Sequence, residues 1–176
     1  MVGKRKVSIF SVLVLIVGLS GLGLGVYSLI QLESPKPLVK AFVSSDQIVP
    51  DHTWAVIDFD AVDYDVTGDF NIGTNRFICP TSGYYLISGT VTFTVMLDGD
   101  YIFAGVYREG ILILQSTVYG SQTVILSVSF TDIVYLNAGD YIEVRVYHNG
   151  SFDRAIHGNT EGTYTYLTIT ATDNLN

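Results

Sequence analysis

Five aspartates lie between residues 58 and 69, where their spacing could serve metal-binding chemistry. Carboxylates and backbone oxygens are the ligands that a hard cation such as calcium prefers, although the EF-hand glycine and closing glutamate are missing here. In the alternative interpretation, some of them line the solvated face of a strand whose buried face carries Ile57 and Phe59, and the others lie in a turn. The candidate calcium ligands are Asp58, Asp60, Asp63, Asp65 and Asp69.

Few other side chains could act as nucleophiles or transition-metal ligands. Cys79 is the only cysteine, so no intrachain disulfide can form, and its place after Phe77 and Ile78 favours a packed thiol over a nucleophile. The histidines lie in predicted loops or strand ends without cupin-like spacing, so we expect them at the surface. No hydrolase elbow, phosphate loop or dinucleotide fingerprint is present, and the sequence predicts no catalytic activity. The histidines are His52, His148 and His157.

The longest predicted irregular segment runs from residue 149 to residue 162, and binding residues tend to lie on such loops. Phe152, Arg154 and His157 are its candidate ligand-contacting residues. The alternative is a mobile polar connection with no binding role. Residues 149–151 also form an N-glycosylation sequon, which makes Asn149 a candidate glycan attachment site.

The elements that must position these residues are strands. After residue 38 the chain alternates short Val-, Ile-, Thr-, Tyr- and Phe-rich segments with turn residues, and 127–131, 141–147 and 166–170 alternate apolar with polar side chains. Turn residues at 108–110 and 137–140 separate neighbouring predicted strands. Eight to ten strands at this spacing predict an all-β fold, a two-sheet antiparallel jelly-roll sandwich. The predicted core includes Phe77, Tyr85 and Val144.

Residues 7–32 carry no charge and exceed the ~20 residues that a helix needs to span a bilayer, which predicts one transmembrane α-helix before the sandwich. Residues 1–6 contain three basic residues and are expected to be a cytoplasmic tail, which places the C-terminal domain outside the cell. Residues 33–37 form a proline-containing linker, and 38–176 form the ectodomain. A cleaved signal peptide is the alternative to a retained anchor.

The charge balance excludes one class of partner. Residues 38–176 contain five Lys and Arg residues and sixteen Asp and Glu residues, a net charge of −11. An acidic surface repels phosphate backbones, and no basic stripe offsets this repulsion. We therefore expect no nucleic-acid binding.

A set of residues at characteristic spacing indicates a family. The pattern has eight positions at fixed spacing, most of them aromatic, and we call it the aromatic signature. Six of the eight positions match, and Ile87 and Gly89 stand where its last two aromatics would be. By these residues the domain resembles the globular head of complement component 1q, in the tumour necrosis factor-like jelly-roll superfamily. The resemblance implies a homotrimer that binds other molecules rather than catalysing a reaction. The six matching positions are Phe59, Asp65, Phe70, Phe77, Gly83 and Tyr85.

Two functions fit these predictions. The first is a membrane-anchored, trimeric recognition module that binds an extracellular protein or glycan. The second is a structural subunit of a cell envelope or virus-like coat that is built from jelly-roll domains. Calcium is the only cofactor that the sequence indicates, through the five aspartates.

Overall fold

The computed structural model describes residues 35–172, which form thirteen strands and no helix. The predicted all-β fold is confirmed, and the strand count exceeds the expected eight to ten because five strands have only two or three residues. The strands are β1 (Leu38–Phe42), β2 (Gln47–Val49), β3 (Ala55–Val56), β4 (Ala61–Asp65), β5 (Phe70–Asn71), β6 (Arg76–Ile78), β7 (Gly83–Met96), β8 (Tyr101–Arg108), β9 (Ile111–Tyr119), β10 (Val124–Leu136), β11 (Tyr141–His148), β12 (Arg154–Ile156) and β13 (Tyr166–Ala171).

The strands form two sheets in which every pair is antiparallel, as a jelly-roll sandwich requires. In the first sheet the long strand β7 pairs with β10, and it also pairs with β13 and with β12. Strands β1 and β4 continue outward from β13, and β2 continues from β12. The second sheet has the order β5-β6-β11-β8-β9, with β3 also paired to β11.

The hydrophobic core lies between the sheets because alternate side chains of each strand point inward. Phe77, Tyr85 and Val144 are buried, as predicted. The signature aromatics pack in pairs: the ring centroids of Phe59 and Phe70 are 6.2 Å apart, and those of Phe77 and Tyr85 are 5.8 Å apart, both edge to face. This geometry is favourable for aromatic rings, so the signature marks positions that build the core.

One of the two departures from the signature, Gly89, has a structural explanation. A Cβ atom at this position would lie 2.6 Å from Cζ of Phe130 and 2.6 Å from the carbonyl oxygen of Tyr166. The Phe130 ring therefore occupies the space beside β7 that a side chain at position 89 would need. Ile87, the other departure, is fully buried in the core.

Local turn chemistry sets the strand connections. Glu109 and Gly110 join β8 to β9 with φ angles of 51° and 77°, the left-handed conformation of a two-residue hairpin turn. In the turn before β11 the amide of Asp140 donates to the carbonyl of Asn137 at 3.0 Å. The predicted turns at 108–110 and 137–140 are thus confirmed.

Within residues 35–172 no helix is long and apolar enough to cross a membrane. The predicted tail 1–6 and transmembrane segment 7–32 lie outside the described residues, as does the beginning of the linker 33–37.

Candidate binding surface

The predicted ligand loop is not one irregular segment, because residues 154–156 form strand β12 within it. Phe152 is 53% exposed, whereas Arg154 is only 4% exposed. The ring of His157 lies 4.0 Å from the ring of Tyr164, and its Nδ1 is 3.0 Å from Asp46 Oδ1. The three candidate residues therefore differ in accessibility, and the segment does not present them as one set.

Arg154 has a structural role. Its Nη2 donates to Asp100 Oδ2 at 2.8 Å, and both residues are buried. The guanidinium also lies 3.8 Å from the ring centroid of Phe152. A buried charge is tolerated when it is paired in this way. The charge of Arg154 is paired inside the domain, and a ligand contact at this residue stays a prediction.

The five candidate calcium ligands each have a hydrogen-bond partner of their own, and calcium binding by them stays a prediction. Across the range 35–172, no group of three or more His, Cys, Asp and Glu side chains is placed to hold a metal ion. Ile57 and Phe59 are buried and Asp58 and Asp60 are exposed, as predicted, but residues 57–60 lie outside any strand, and Asp63 and Asp65 lie in β4 rather than in a turn. Asp58 accepts from Asn75, Asp60 from Ser44, Asp63 from Lys40, Asp65 from the amides of residues 68–70, and Asp69 from Thr67.

Cys79 and His148 are both buried, and their surroundings account for their states. Burial raises the pKa of the Cys79 thiol, which disfavours the thiolate that a nucleophile would need. His148 is fully buried, so the surface expectation is wrong for this residue. Its Nε2 lies 3.1 Å from the carbonyl of Val49, and its Nδ1 accepts from the amide of Gly150 at 3.1 Å. Both ring nitrogens are therefore satisfied, which permits burial.

Asn149 is half-buried at the end of β11, and its side-chain oxygen accepts from the amide of Tyr101 at 2.6 Å. The predicted sequon therefore lies where β11 meets the start of β8. Glycosylation of Asn149 stays a prediction.

The outer face of the second sheet is a surface that sequence reasoning missed. Six aromatic side chains form a connected group there, hereafter the aromatic face, and the indole of Trp54 lies among them, 42% exposed. The Trp54 ring is nearly parallel to that of Phe103 at 6.2 Å, and lies 5.6 Å from the Tyr147 ring. The group consists of Trp54, Tyr101, Phe103, Tyr107, Tyr119 and Tyr147.

A charged group borders the aromatic face. Glu143 is 2% exposed and accepts hydrogen bonds from Nε of Arg76 at 2.9 Å and from Nε of Arg145 at 2.8 Å. Burial opposes its charge, but the two arginines outweigh this effect, so the pKa of the Glu143 carboxyl lies below its usual value. The guanidinium of Arg145 lies 4.4 Å from the ring centroid of Tyr107, and that of Arg76 lies 3.8 Å from that of Tyr141.

The outer face of the first sheet is chemically different. It carries small hydroxyl side chains, and Thr90 Oγ1 lies 2.9 Å from Ser129 Oγ across β7 and β10. One end is apolar, with exposed Tyr84, Ile133 and Tyr135. We call this surface the hydroxyl face; its polar members include Ser88, Thr90, Ser127, Ser129 and Thr131.

The sequence contains a signal for the aromatic face. Tyr101, Phe103 and Tyr107 alternate with buried side chains along β8, as do Tyr141 and Tyr147 along β11. A strand whose solvated positions are aromatic rather than charged indicates a surface with a further role.

The sequence and the fold are similar to those of known proteins. The sequence model of the C1q domain matches residues 41–167. The chain belongs to the C1q domain family. No match was found among curated proteins. The family match spans all the strands from β2 to β12 and therefore includes both outer faces.

Solved structures share the fold at low sequence identity. A structure of Eiger TNF from S. frugiperda has a TM-score of 0.63 and 16% identity, and the match covers 81% of this chain and 96% of that one. The globular domain of zebrafish complement 1qA has a TM-score of 0.59 and 16% identity, with coverages of 79% and 99%. Murine APRIL at pH 5.0 has a TM-score of 0.60 and 14% identity, with coverages of 78% and 100%. These likenesses establish the fold.

Proposed function

We propose that this chain is a membrane-anchored homotrimer whose C-terminal domain lies outside the cell and recognises an extracellular protein or glycan without catalysing a reaction. The observation that carries the proposal is the C1q domain match over residues 41–167, together with a two-sheet antiparallel fold. Domains of this family act as trimeric binding modules. The uncharged segment 7–32 and the basic residues before it support the anchor and its orientation.

The hydroxyl face is the surface on which we place the contact between copies. Its side chains are small, so two backbones can approach closely, and Tyr84, Ile133 and Tyr135 supply exposed apolar area at one end. The rings of Tyr84 and Tyr135 already pack edge to face at 5.3 Å. An exposed apolar patch on a sheet is a feature that association would cover.

Sedimentation equilibrium of residues 35–176 tests the assembly, because this part is a compact unit with its own core. A discrete trimer is expected. Residues 35–172 contain six Lys and Arg residues and fifteen Asp and Glu residues, so copies repel each other and added salt should strengthen association. Open-ended assembly would favour a structural coat subunit instead. A monomer at every salt concentration would contradict the proposal.

A matched pair of variants locates the contact. Ile133→Glu places a charge on the hydroxyl face and should give a monomer with an unchanged fold. Ile111→Glu makes the same change at an exposed position of the β8–β9 hairpin in the second sheet, and should leave the trimer intact. The opposite pattern would place the contact on the second sheet.

Membrane anchoring is tested on the full-length protein. N-terminal sequencing of the mature chain should find residues 1–6 still present. A mature start near residues 21–26 would show a cleaved signal peptide instead.

A further inference from the structure

The second sheet is cationic in a domain that is otherwise strongly acidic. Its strands contain Arg76, Arg108 and Arg145 and one acidic residue, Glu143. Arg108 donates to the carbonyl of Tyr135 in the first sheet, and Glu109 lies in the turn between β8 and β9, so Arg76 and Arg145 are the cations relevant to the outer face. The other described residues contain three Lys and Arg residues and fourteen Asp and Glu residues. An anionic ligand is therefore repelled by the rest of the domain and attracted to this sheet.

Two of these arginines are held in place before any ligand arrives. Glu143 engages both, and their guanidinium groups lie against the rings of Tyr141 and Tyr107. The Arg76 and Arg145 side chains are nevertheless 37% and 32% exposed, so that a ligand can reach them. A guanidinium fixed in this way loses little conformational freedom when it binds a carboxylate.

The aromatic face beside them suits a flat ligand with apolar C–H groups. Aromatic rings offer broad apolar faces with a negative quadrupole, against which the C–H face of a pyranose ring can pack. Trp54 is held by contacts with the rings of Phe103, Tyr107 and Tyr147, yet much of its indole remains exposed. The tyrosine hydroxyls supply polar groups for sugar hydroxyls.

We infer that the aromatic face binds a carboxylate-bearing saccharide, with Trp54 and Tyr147 stacking on the sugar ring and Arg145 receiving the carboxylate. This inference rests on the proposed recognition function and names its ligand class. An acidic peptide shares the charge but lacks the pyranose rings that the aromatic group would contact.

Trp54 is the only tryptophan in the chain, so its fluorescence reports directly on this surface. The ectodomain is titrated with a hyaluronan oligosaccharide, which alternates glucuronic acid with N-acetylglucosamine, and with a neutral N-acetylglucosamine oligomer of equal length. We expect saturable changes in Trp54 emission with at least tenfold tighter binding of the acidic oligomer. Added salt should weaken only the acidic complex.

Variants separate stacking from charge recognition. Measured by calorimetry, Trp54→Ala should weaken both complexes at least tenfold, whereas Tyr64→Ala, a similarly exposed aromatic in the first sheet, should change neither. Arg145→Gln should abolish the preference for the acidic oligomer and leave neutral binding unchanged. Arg76→Gln, which leaves Arg145 paired with Glu143, provides a second charge variant if Arg145→Gln unfolds.

Three results would overturn the inference. They are an unchanged Trp54 emission with both oligosaccharides, equal affinity for both, and a response to poly-glutamate alone. Sedimentation of the same samples keeps the two proposals apart. A trimer that binds neither saccharide contradicts only the ligand class, and a monomer that binds the acidic one contradicts only the proposed assembly.

Discussion

The two sheets of this domain share one core, but their outer faces differ in chemical composition. On the hydroxyl face, Thr90 and Ser129 hydrogen-bond across strands. On the aromatic face, Trp54 and Phe103 lie nearly parallel, and a buried carboxylate holds two arginines. Because inward side chains fill the core, outward positions are free to differ. This difference is the reason why we propose the first face for the contact between copies and the second for a ligand.

Removing a shared core residue should have the largest effect, because both faces depend on it. Phe77→Ala should lower the free energy of unfolding by about 3–5 kcal/mol, the usual cost of deleting a buried phenyl ring. Urea denaturation followed by circular dichroism measures this value. A loss below about 1 kcal/mol would mean that the ring is replaceable and the two sheets are less interdependent than described.

Glu143→Gln should cause the second-largest loss of stability, and it acts at the aromatic face. Loss of the carboxylate leaves two partly desolvated arginines, at a cost of about 1–3 kcal/mol at pH 7, below that of a fully buried pair because both arginines are partly exposed. The folded-state pKa of Glu143 is lowered from 4.5, so its stabilisation is present above that pH and is lost as the pH falls further.

Urea titrations from pH 7 to pH 3 measure this dependence. The original chain should lose stability below about pH 4.5, and Glu143→Gln should lose less across the same range. Parallel curves would show that Glu143 does not contribute to the acid sensitivity.

Trp54→Ala should lower the free energy of unfolding by about 1 kcal/mol, because the indole is partly exposed but contacts three other rings. Tyr84→Ala on the hydroxyl face removes a similarly exposed ring with a close contact to Tyr135, and should cost less in the monomer. Thermal unfolding of both variants at low protein concentration tests the order. Equal losses of stability in the two variants would mean that the exposed rings of the two faces contribute equally to the stability of the monomer.

Thr90→Ala should have the smallest effect, about 0.5 kcal/mol, since it deletes one exposed side-chain hydrogen bond. If the hydroxyl face lies between copies, the cost should increase with protein concentration, because the unpaired Ser129 hydroxyl is then buried. Unfolding midpoints measured across a hundredfold concentration range provide the check. A cost independent of concentration would place Thr90 outside the contact between copies.

Sequence patterns with a local cause were reliable predictors. The period-2 alternation in 141–147 predicted which side chains face the core, and continuing it by one residue would also have predicted the burial of His148. The core positions of Phe77 and Tyr85 were also predicted, whereas their contact with each other was seen only in the structure. Such patterns predict side-chain direction from sequence because successive side chains of a strand point to opposite faces of the sheet.

Other features depend on residues that are distant in the chain, and only the tertiary structure decided them. Arg154 was expected at a ligand site, but β12 brings it to Asp100, 54 positions away. Trp54 joins Phe103 and Tyr147 only because β3 and β8 flank β11. Alternation determines the face on which a side chain lies. Strand order and register determine its neighbours, and these arise from long-range pairing that no local spacing encodes.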